Sequence, residues 1–264
     1  MEERQPIVVM SWAMRQNRKK EAQEFAAKLV QLVGEDQGVE KVLFPSMGMI
    51  TSVAEITKYS VIKLGAQNIA PEAYGMFSGE YSIDSLIDEA GEYVELGHWE
   101  RRSIFKESDE LINKKVLLTL DKGLKLVICV GEESKTENYN LLKSKLYRQL
   151  FNDLFEVDKS QAPKIVVAYT PMWTVGKTKA ANVPHIHKIA SLIRDILQDL
   201  FGDAAAQKVR IIYGGSVSPE NTKLIVQNNE IDGVFVGRFG SDPQRYEEVV
   251  KIVEENHQKC LSFK

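Results

Sequence analysis

The sequence predicts an α/β protein whose single chain closes into a (β/α)8 barrel. Strand-like and helix-like runs alternate along all 264 residues, and eight strand-like runs can be marked out. These runs are short and continuously apolar, as in parallel strands covered on both faces by helices. No Pro-, Gly- or Ser-rich linker interrupts them, which favours one closed domain over residues 1–264 rather than an open doubly wound sheet. The length matches a barrel of about 250 residues.

Taken in order, the predicted strands are 6–11, 41–45, 61–68, 93–97, 125–130, 164–169, 209–213 and 233–237, the third being the least strand-like by composition. Helices fill the intervals. Residues 21–33 put Ala22, Phe25, Ala26, Leu29 and Val33 on one face, and 184–200 do the same with Ile186, Ile189, Ala190, Ile193, Leu197 and Leu200. Residues 243–254 align Tyr246, Val249, Val250 and Val253. Apolar residues at such spacing form the inner stripe of an amphipathic helix.

The last two strand–helix units share a pattern. In Val209-Arg-Ile-Ile-Tyr-Gly-Gly-Ser-Val-Ser-Pro-Glu220 an apolar strand meets Gly214 and Gly215. Ser218 and Pro219 then open a helix as N-cap and first helical residue. In Ile231-Asp-Gly-Val-Phe-Val-Gly-Arg-Phe-Gly-Ser-Asp-Pro243 the strand meets Gly237 and Gly240, and Asp242-Pro243 starts the next helix. Glycines let backbone approach a ligand closely. Two such turns in tandem fit the phosphate site that the loops after strands 7 and 8 build in barrels of this class.

A net charge of −3 with no basic face argues against nucleic acid as a partner. The N-terminal Met1-Glu-Glu-Arg-Gln-Pro6 has no signal-peptide core, and no run approaches the ~18 apolar residues of a membrane span. Cys129, in a predicted buried strand, reads as a reduced core thiol, and the only other cysteine is Cys260. The cytoplasm is the expected location. His185, His187 and His257 read as surface residues.

In such a barrel the chemistry lies on loops at the carboxyl ends of the strands. Here those loops carry Glu95-Leu-Gly-His-Trp-Glu-Arg-Arg102, Cys129-Val-Gly-Glu132, Ala168-Tyr-Thr-Pro-Met-Trp-Thr-Val-Gly176 and Ile212-Tyr-Gly-Gly-Ser-Val217. In order and spacing they resemble the motifs of triosephosphate isomerase, and Pro71-Glu-Ala-Tyr-Gly-Met-Phe-Ser-Gly-Glu80 is similar to that family's long third loop. The resemblance implies a TIM barrel, a small phosphorylated sugar as ligand, and no cofactor or metal. It also implies a homodimer through the loop from Pro71 to Tyr81, with Met14 and Arg101 in the contact. The family's reaction uses a carboxylate base beside a neutral histidine. By the resemblance, His98 is that histidine and Glu100 a second active-site carboxylate. Ser11 stands at an asparagine position, and Gly176, Ser216 and Gly237 supply backbone groups to the phosphate, Gly176 from the lid.

The pattern breaks at two chemical groups. Thr170 stands where the family has its base, and Ala13 where it has a lysine. A threonine hydroxyl is a very poor base for a carbon-bound proton at neutral pH, because a general base works best with a pKa near the operating pH. An alanine supplies no charge. Each missing group is worth about 10²–10⁴ in rate. Trp99 replaces a small residue beside the histidine. Arg238 replaces a glycine of the last loop and either clasps a phosphate or faces solvent beyond the strand end. Lys177 and Lys179 add charge to the lid. Two functions are therefore expected: ketose–aldose isomerisation of a C3–C4 sugar phosphate with altered or impaired catalysis, or a non-catalytic phosphometabolite sensor or partner protein. In the first, Glu100 would serve as proton shuttle and Arg238 or a lid lysine as the cation.

Overall fold

Eight parallel strands close on themselves in chain order in the computed structural model, which describes residues 4–35, 38–177, 179–238 and 242–262. They are β1 (Ile7–Ser11), β2 (Glu40–Phe44), β3 (Lys63–Ala66), β4 (Tyr93–Leu96), β5 (Lys125–Val130), β6 (Ile165–Tyr169), β7 (Arg210–Tyr213) and β8 (Gly233–Val236). The register runs unbroken from Ile7 opposite Glu40 round to Ile7 opposite Gly233, so no sheet edge remains. The helices are α1 (Lys19–Val33), α2 (Ile50–Thr57), α3 (Ile83–Asp88), α4 (Trp99–Ser103), α5 (Asp109–Asp121), α6 (Tyr139–Asp153), α7 (Val183–Phe201), α8 (Asp203–Ala206), α9 (Pro219–Ile225) and α10 (Pro243–Ser262). The predicted barrel is present, with strand ends displaced by one or two residues.

Side-chain alternation along each strand separates two cores. Ile7, Val9, Val42, Phe44, Tyr93, Val127, Cys129, Val166, Ala168, Ile212 and Phe235 fill the barrel interior. Val8, Met10, Leu43, Val94, Leu96 and their counterparts face outward onto the helices, where Ala22, Ala26, Leu29 and Val33 of α1 meet them. The amino-terminal end of the barrel is closed by an ion-pair cluster. Glu40 pairs with Lys125 at 2.8 Å and with Arg210, which also donates to the Tyr93 hydroxyl at 2.9 Å. Burial alone would raise the Glu40 carboxyl, but Arg210 and Lys125 win and hold it down to about 2.

The third strand is shorter than 61–68, covering Lys63–Ala66, with its ladder to β2 carried by Lys63 and Leu64. Beyond it the Gln67 side-chain amide donates to the carbonyls of Ala13, Phe44 and Pro45, and the Asn68 side chain bonds Glu107 and Lys115. Asp242 caps α10 as expected, its side chain accepting from the Gln244 N–H at 2.9 Å. Gly240 and Thr178 lie outside the described residues.

Candidate active site

The carboxyl-end rim of the barrel brings together β1, β4, β6, β7 and β8 with the loops that follow them. His98 sits at the N-cap of α4, directly after β4. Arg102 locks this turn: its guanidinium donates to the Gly97 carbonyl at 2.7 Å and pairs with Asp109 and Asp153. The Glu100 backbone N–H points to His98 Nδ1 at 3.4 Å. An imidazole that accepts at Nδ1 carries its proton at Nε2. Burial pushes the His98 pKa down to about 4, so the ring is neutral at pH 7. It is therefore a neutral hydrogen-bond donor at Nε2 rather than a cation. The Glu100 carboxylate lies 3.6 Å from Nδ1 and is half-exposed in the first turn of α4.

Ser11 ends β1, and Ala13 follows in the left-handed region at φ 49°. Such a backbone is costly for any residue with a Cβ. It is held by Gln67, whose amide donates to the Ala13 carbonyl at 3.0 Å. Two residues on, Arg15 donates to the Ser11 carbonyl at 2.8 Å. Its half-buried guanidinium lies within electrostatic reach of Arg238 and Glu100, burial and Arg238 lowering its pKa against Glu100. The sequence reading missed Arg15. Only the fold brings loops 1, 4 and 8 together.

Thr170 follows β6 and is 3% exposed. Its hydroxyl faces the Val130 carbonyl at 3.5 Å, and its N–H donates to the same oxygen at 2.8 Å. Thr170 and Trp99 line one cavity of about 60 Å³ with Cys129 and Met172, and the indole N–H of Trp99 is buried there without a hydrogen-bond partner.

The lid, residues 171–177, is fastened to loops 7 and 8. The Ser216 hydroxyl lies 2.7 Å from the Thr174 carbonyl and 2.8 Å from that of Lys177, and Arg238 donates to the Gly176 carbonyl at 2.9 Å. Gly176 itself takes φ 72°, a conformation glycine adopts without strain. Gly214 and Gly215 do not turn the chain through positive φ. Ser216 does, at φ 51°. The two glycines are needed for close approach, since a Cβ would meet the Thr170 methyl at 2.5 Å from Gly214 and the Thr174 hydroxyl at 2.2 Å from Gly215. Gly237 has open space where its Cβ would lie.

The lid's first turn is anchored by a cluster around Glu132. Trp173 donates to it at 2.6 Å and the Tyr169 hydroxyl at 3.1 Å. That hydroxyl in turn lies 3.0 Å from His185 Nε2. His185 is therefore half-buried in the lid's anchor, which corrects the surface reading. His187 is also half-buried, against the Leu224 and Ile225 carbonyls, and His257 is half-buried too. A histidine at a helix start looks solvent-facing in sequence, and the fold places α7 against β6.

The sequence reading did not single out Glu95. It lies on β4 with 3% exposure, and its Oε2 has no hydrogen-bond partner. The signal available in the sequence was a charge inside the apolar run 93–96. Among the described residues no His, Cys, Asp or Glu group could hold a metal, and no helix is long and apolar enough to cross a membrane.

Comparison with known proteins agrees with the geometry. The family model described as Triosephosphate isomerase matches residues 6–254. The chain is 38% identical to "Probable triosephosphate isomerase 2" of Listeria monocytogenes and to "Triosephosphate isomerase 2" of Listeria innocua, in each case over 95% of this chain and 98% of the relative. It is 36% identical to "Triosephosphate isomerase" of Carboxydothermus hydrogenoformans, over 94% and 98% of the two chains. A closed eight-stranded barrel, a neutral histidine after β4 and a family match over nearly the whole length converge, and the chain belongs to the triosephosphate isomerase family.

Proposed function

We propose that this barrel binds a C3–C4 sugar phosphate and interconverts its ketose and aldose forms, with turnover of triose phosphate far below that of a family member carrying both the base and the lysine. The observation that carries the reading is a neutral, Nε2-protonated His98 on the same rim as the guanidiniums of Arg238 and Arg15. In this reading Gly176, Ser216, Gly237 and Arg238 grip the anion, and Arg15 adds a second guanidinium. A neutral imidazole polarises a carbonyl without donating its proton outright, which is what an enediolate intermediate requires. Two guanidiniums at the mouth replace the charge that Ala13 lacks, and Arg238 is placed to exchange the Gly176 carbonyl for a phosphate oxygen. The coupled assay is run with dihydroxyacetone phosphate and with tetrulose phosphates. Turnover above buffer on one of them is expected, and its absence on all of them rejects isomerisation.

The second reading is a non-catalytic sensor or partner that grips the phosphate alone. The buried Thr170, its side chain sharing a cavity with Trp99, favours it. Calorimetry with 2-phosphoglycolate separates the cases: binding without turnover supports the sensor, and no binding removes both readings.

The protein acts in the cytoplasm as a homodimer. Tyr74 and Met76 on the third loop are 93% and 100% exposed and Met14 is 84% exposed, an apolar patch that a second copy would cover. Sedimentation of Met76→Asp at micromolar concentration should give a monomer. A dimer of undiminished affinity refutes this contact.

A further inference from the structure

The outer face of α6 departs from the pattern that its inner face keeps. Leu142, Leu146 and Leu150 are buried in the core outside the barrel, and the opposite face of such a helix is ordinarily polar. Here Tyr147, Phe151 and Phe155 follow one another along it at intervals of one turn. The Tyr147 and Phe151 rings are stacked with centroids 6.1 Å apart, and Phe155, just past the helix end, lies a further 6.1 Å on. Phe151 and Phe155 are 43% and 51% exposed. A shallow groove of about 460 Å³ runs beside the stripe, lined by Tyr147 and Phe151 with Asn140, Lys143, Ser144 and Arg148. Single apolar residues are ordinary on a protein surface, whereas a contiguous aromatic stripe marks a contact.

The charges along the stripe indicate what covers it. Residues 139–150 carry Lys143, Lys145 and Arg148 and no acid. Beyond Phe151 the exposed acids are Glu156 and Asp158, with Lys159 following them. Phe151 therefore stands between a basic end and an acidic end. A second copy laid antiparallel, with Phe151 against its own counterpart, sets Tyr147 against Phe155 of that copy. The same arrangement brings Lys143 and Arg148 toward its Glu156 and Asp158. A parallel arrangement would instead oppose like charges. Self-complementarity of this kind is what a two-fold contact requires. Arg148 is available for it: its side chain is 80% exposed and lies 3.8 Å from Asp109, which Arg102 already holds at 2.6 Å.

We propose that the outer face of α6 is a two-fold contact between copies of this chain, separate from the one assigned to the loop after β3. α6 packs against α5, α7 and β5 on the flank of the barrel, whereas that loop leaves the carboxyl-end rim. Three rings a side fall short of the roughly 20–30 residues per partner in a standard interface, so the contact is weak and closes at about 100 µM rather than at micromolar concentration. It does not depend on the sugar-phosphate reading.

Sedimentation equilibrium of the full chain from about 1 to 300 µM tests the proposal. The species present at 1 µM should double in mass with a midpoint near 100 µM. Phe151→Asp should abolish the doubling and leave the 1 µM species as it is. Arg148→Glu should push the midpoint beyond 300 µM, a shift of about threefold or more. Arg148→Glu combined with Glu156→Arg exchanges the signs while keeping them complementary, and should return the midpoint to within about twofold of wild type. All variants should melt within about 2 °C of wild type, because Leu142, Leu146 and Leu150 are untouched, so a lost contact is not a lost fold. Absence of doubling in the wild type overturns the proposal, as does a doubling that survives Phe151→Asp. A double reversal no better than Arg148→Glu alone, or growth that continues past twice the mass, refutes the two-fold arrangement.

Discussion

Replacing Glu95 with leucine should make the barrel more stable, and by an amount that grows with pH. Leucine matches the volume and the apolar neighbours, Val127 and Cys129, so the exchange introduces neither cavity nor strain. The glutamate has a folded-state pKa near 8 against an ordinary 4.5. For an acid whose folded pKa is raised, stability is fully present below the unfolded value and is lost as pH rises through the folded one. The wild type should therefore lose stability between about pH 4.5 and 8. At about 1.4 kcal/mol for each tenfold change in proton affinity, the full interval amounts to about 5 kcal/mol. Local relaxation reduces that, and a difference of about 2–3 kcal/mol is the working expectation. The leucine variant has nothing to titrate at this position, so its advantage should widen from acid to alkaline pH. Urea unfolding of both proteins at about pH 5 and pH 9, at one protein concentration so that association is held constant, measures the difference. Groups common to both proteins, such as the buried Asp153 at about 7, cancel in the comparison. An equal advantage at both pH values, within about 0.5 kcal/mol, would show that Glu95 is not a buried, proton-holding carboxyl.

Three further outcomes follow from the geometry. Arg238→Ala, which removes the guanidinium bonded to the Gly176 carbonyl, should weaken 2-phosphoglycolate binding by about tenfold in calorimetry and flatten its salt dependence; unchanged affinity at low and high salt would assign Arg238 to solvent. Thr170→Glu should bring little activity while Trp99 shares the cavity, whereas Thr170→Glu with Trp99→Ser and Ala13→Lys should raise triose phosphate turnover by 100-fold or more. A double-mutant cycle between positions 170 and 99 that sums to zero refutes that coupling. Glu40→Gln leaves Arg210 buried beside a neutral group and should cost about 3–5 kcal/mol. Because the Glu40 pKa is depressed to about 2, wild-type stability should fall as pH drops from about 4.5 toward 2, and this part of the acid slope should be missing in the variant; its persistence would place the acid-sensitive group elsewhere.

The barrel was legible because its strands are short apolar runs that end at turn residues, a pattern that survives loss of the chemical groups. β5 begins at Lys125 and ends at Val130 as the sequence predicts, since Lys125 sits in the ion-pair cluster and Gly131 packs its backbone against Thr170. The rim was legible where residues close in sequence also lie close in space, as His98 Nδ1 and the Glu100 carboxylate do at 3.6 Å. Residues assembled across loops were not. Arg15 comes within electrostatic reach of Arg238 only because β1 and β8 are neighbours in a closed sheet, and His185 meets Tyr169 only because the start of α7 returns beside the end of β6. Glu95 presents a different difficulty. In a strand of four residues a single charge does not reveal which face is inward, and that follows only from the register that sets Tyr93 in the interior.

On the proposed reading, the departures that the resemblance implies match one another in kind. Thr170, at the position the resemblance gives to the base, shares a cavity with the bulky Trp99. Ala13, at the position it gives to the lysine, shares the rim with guanidiniums at Arg15 and Arg238 that lie within electrostatic reach of each other. On that reading, decay of an idle site would remove groups without supplying volume for volume and charge for charge, and it would have no reason to keep Ala13 in a left-handed backbone, since relaxing it adds stability. Features that cost the folded state persist where they serve a site. The two matched pairs therefore support the proposed reading of a rim rebuilt around a phosphorylated ligand.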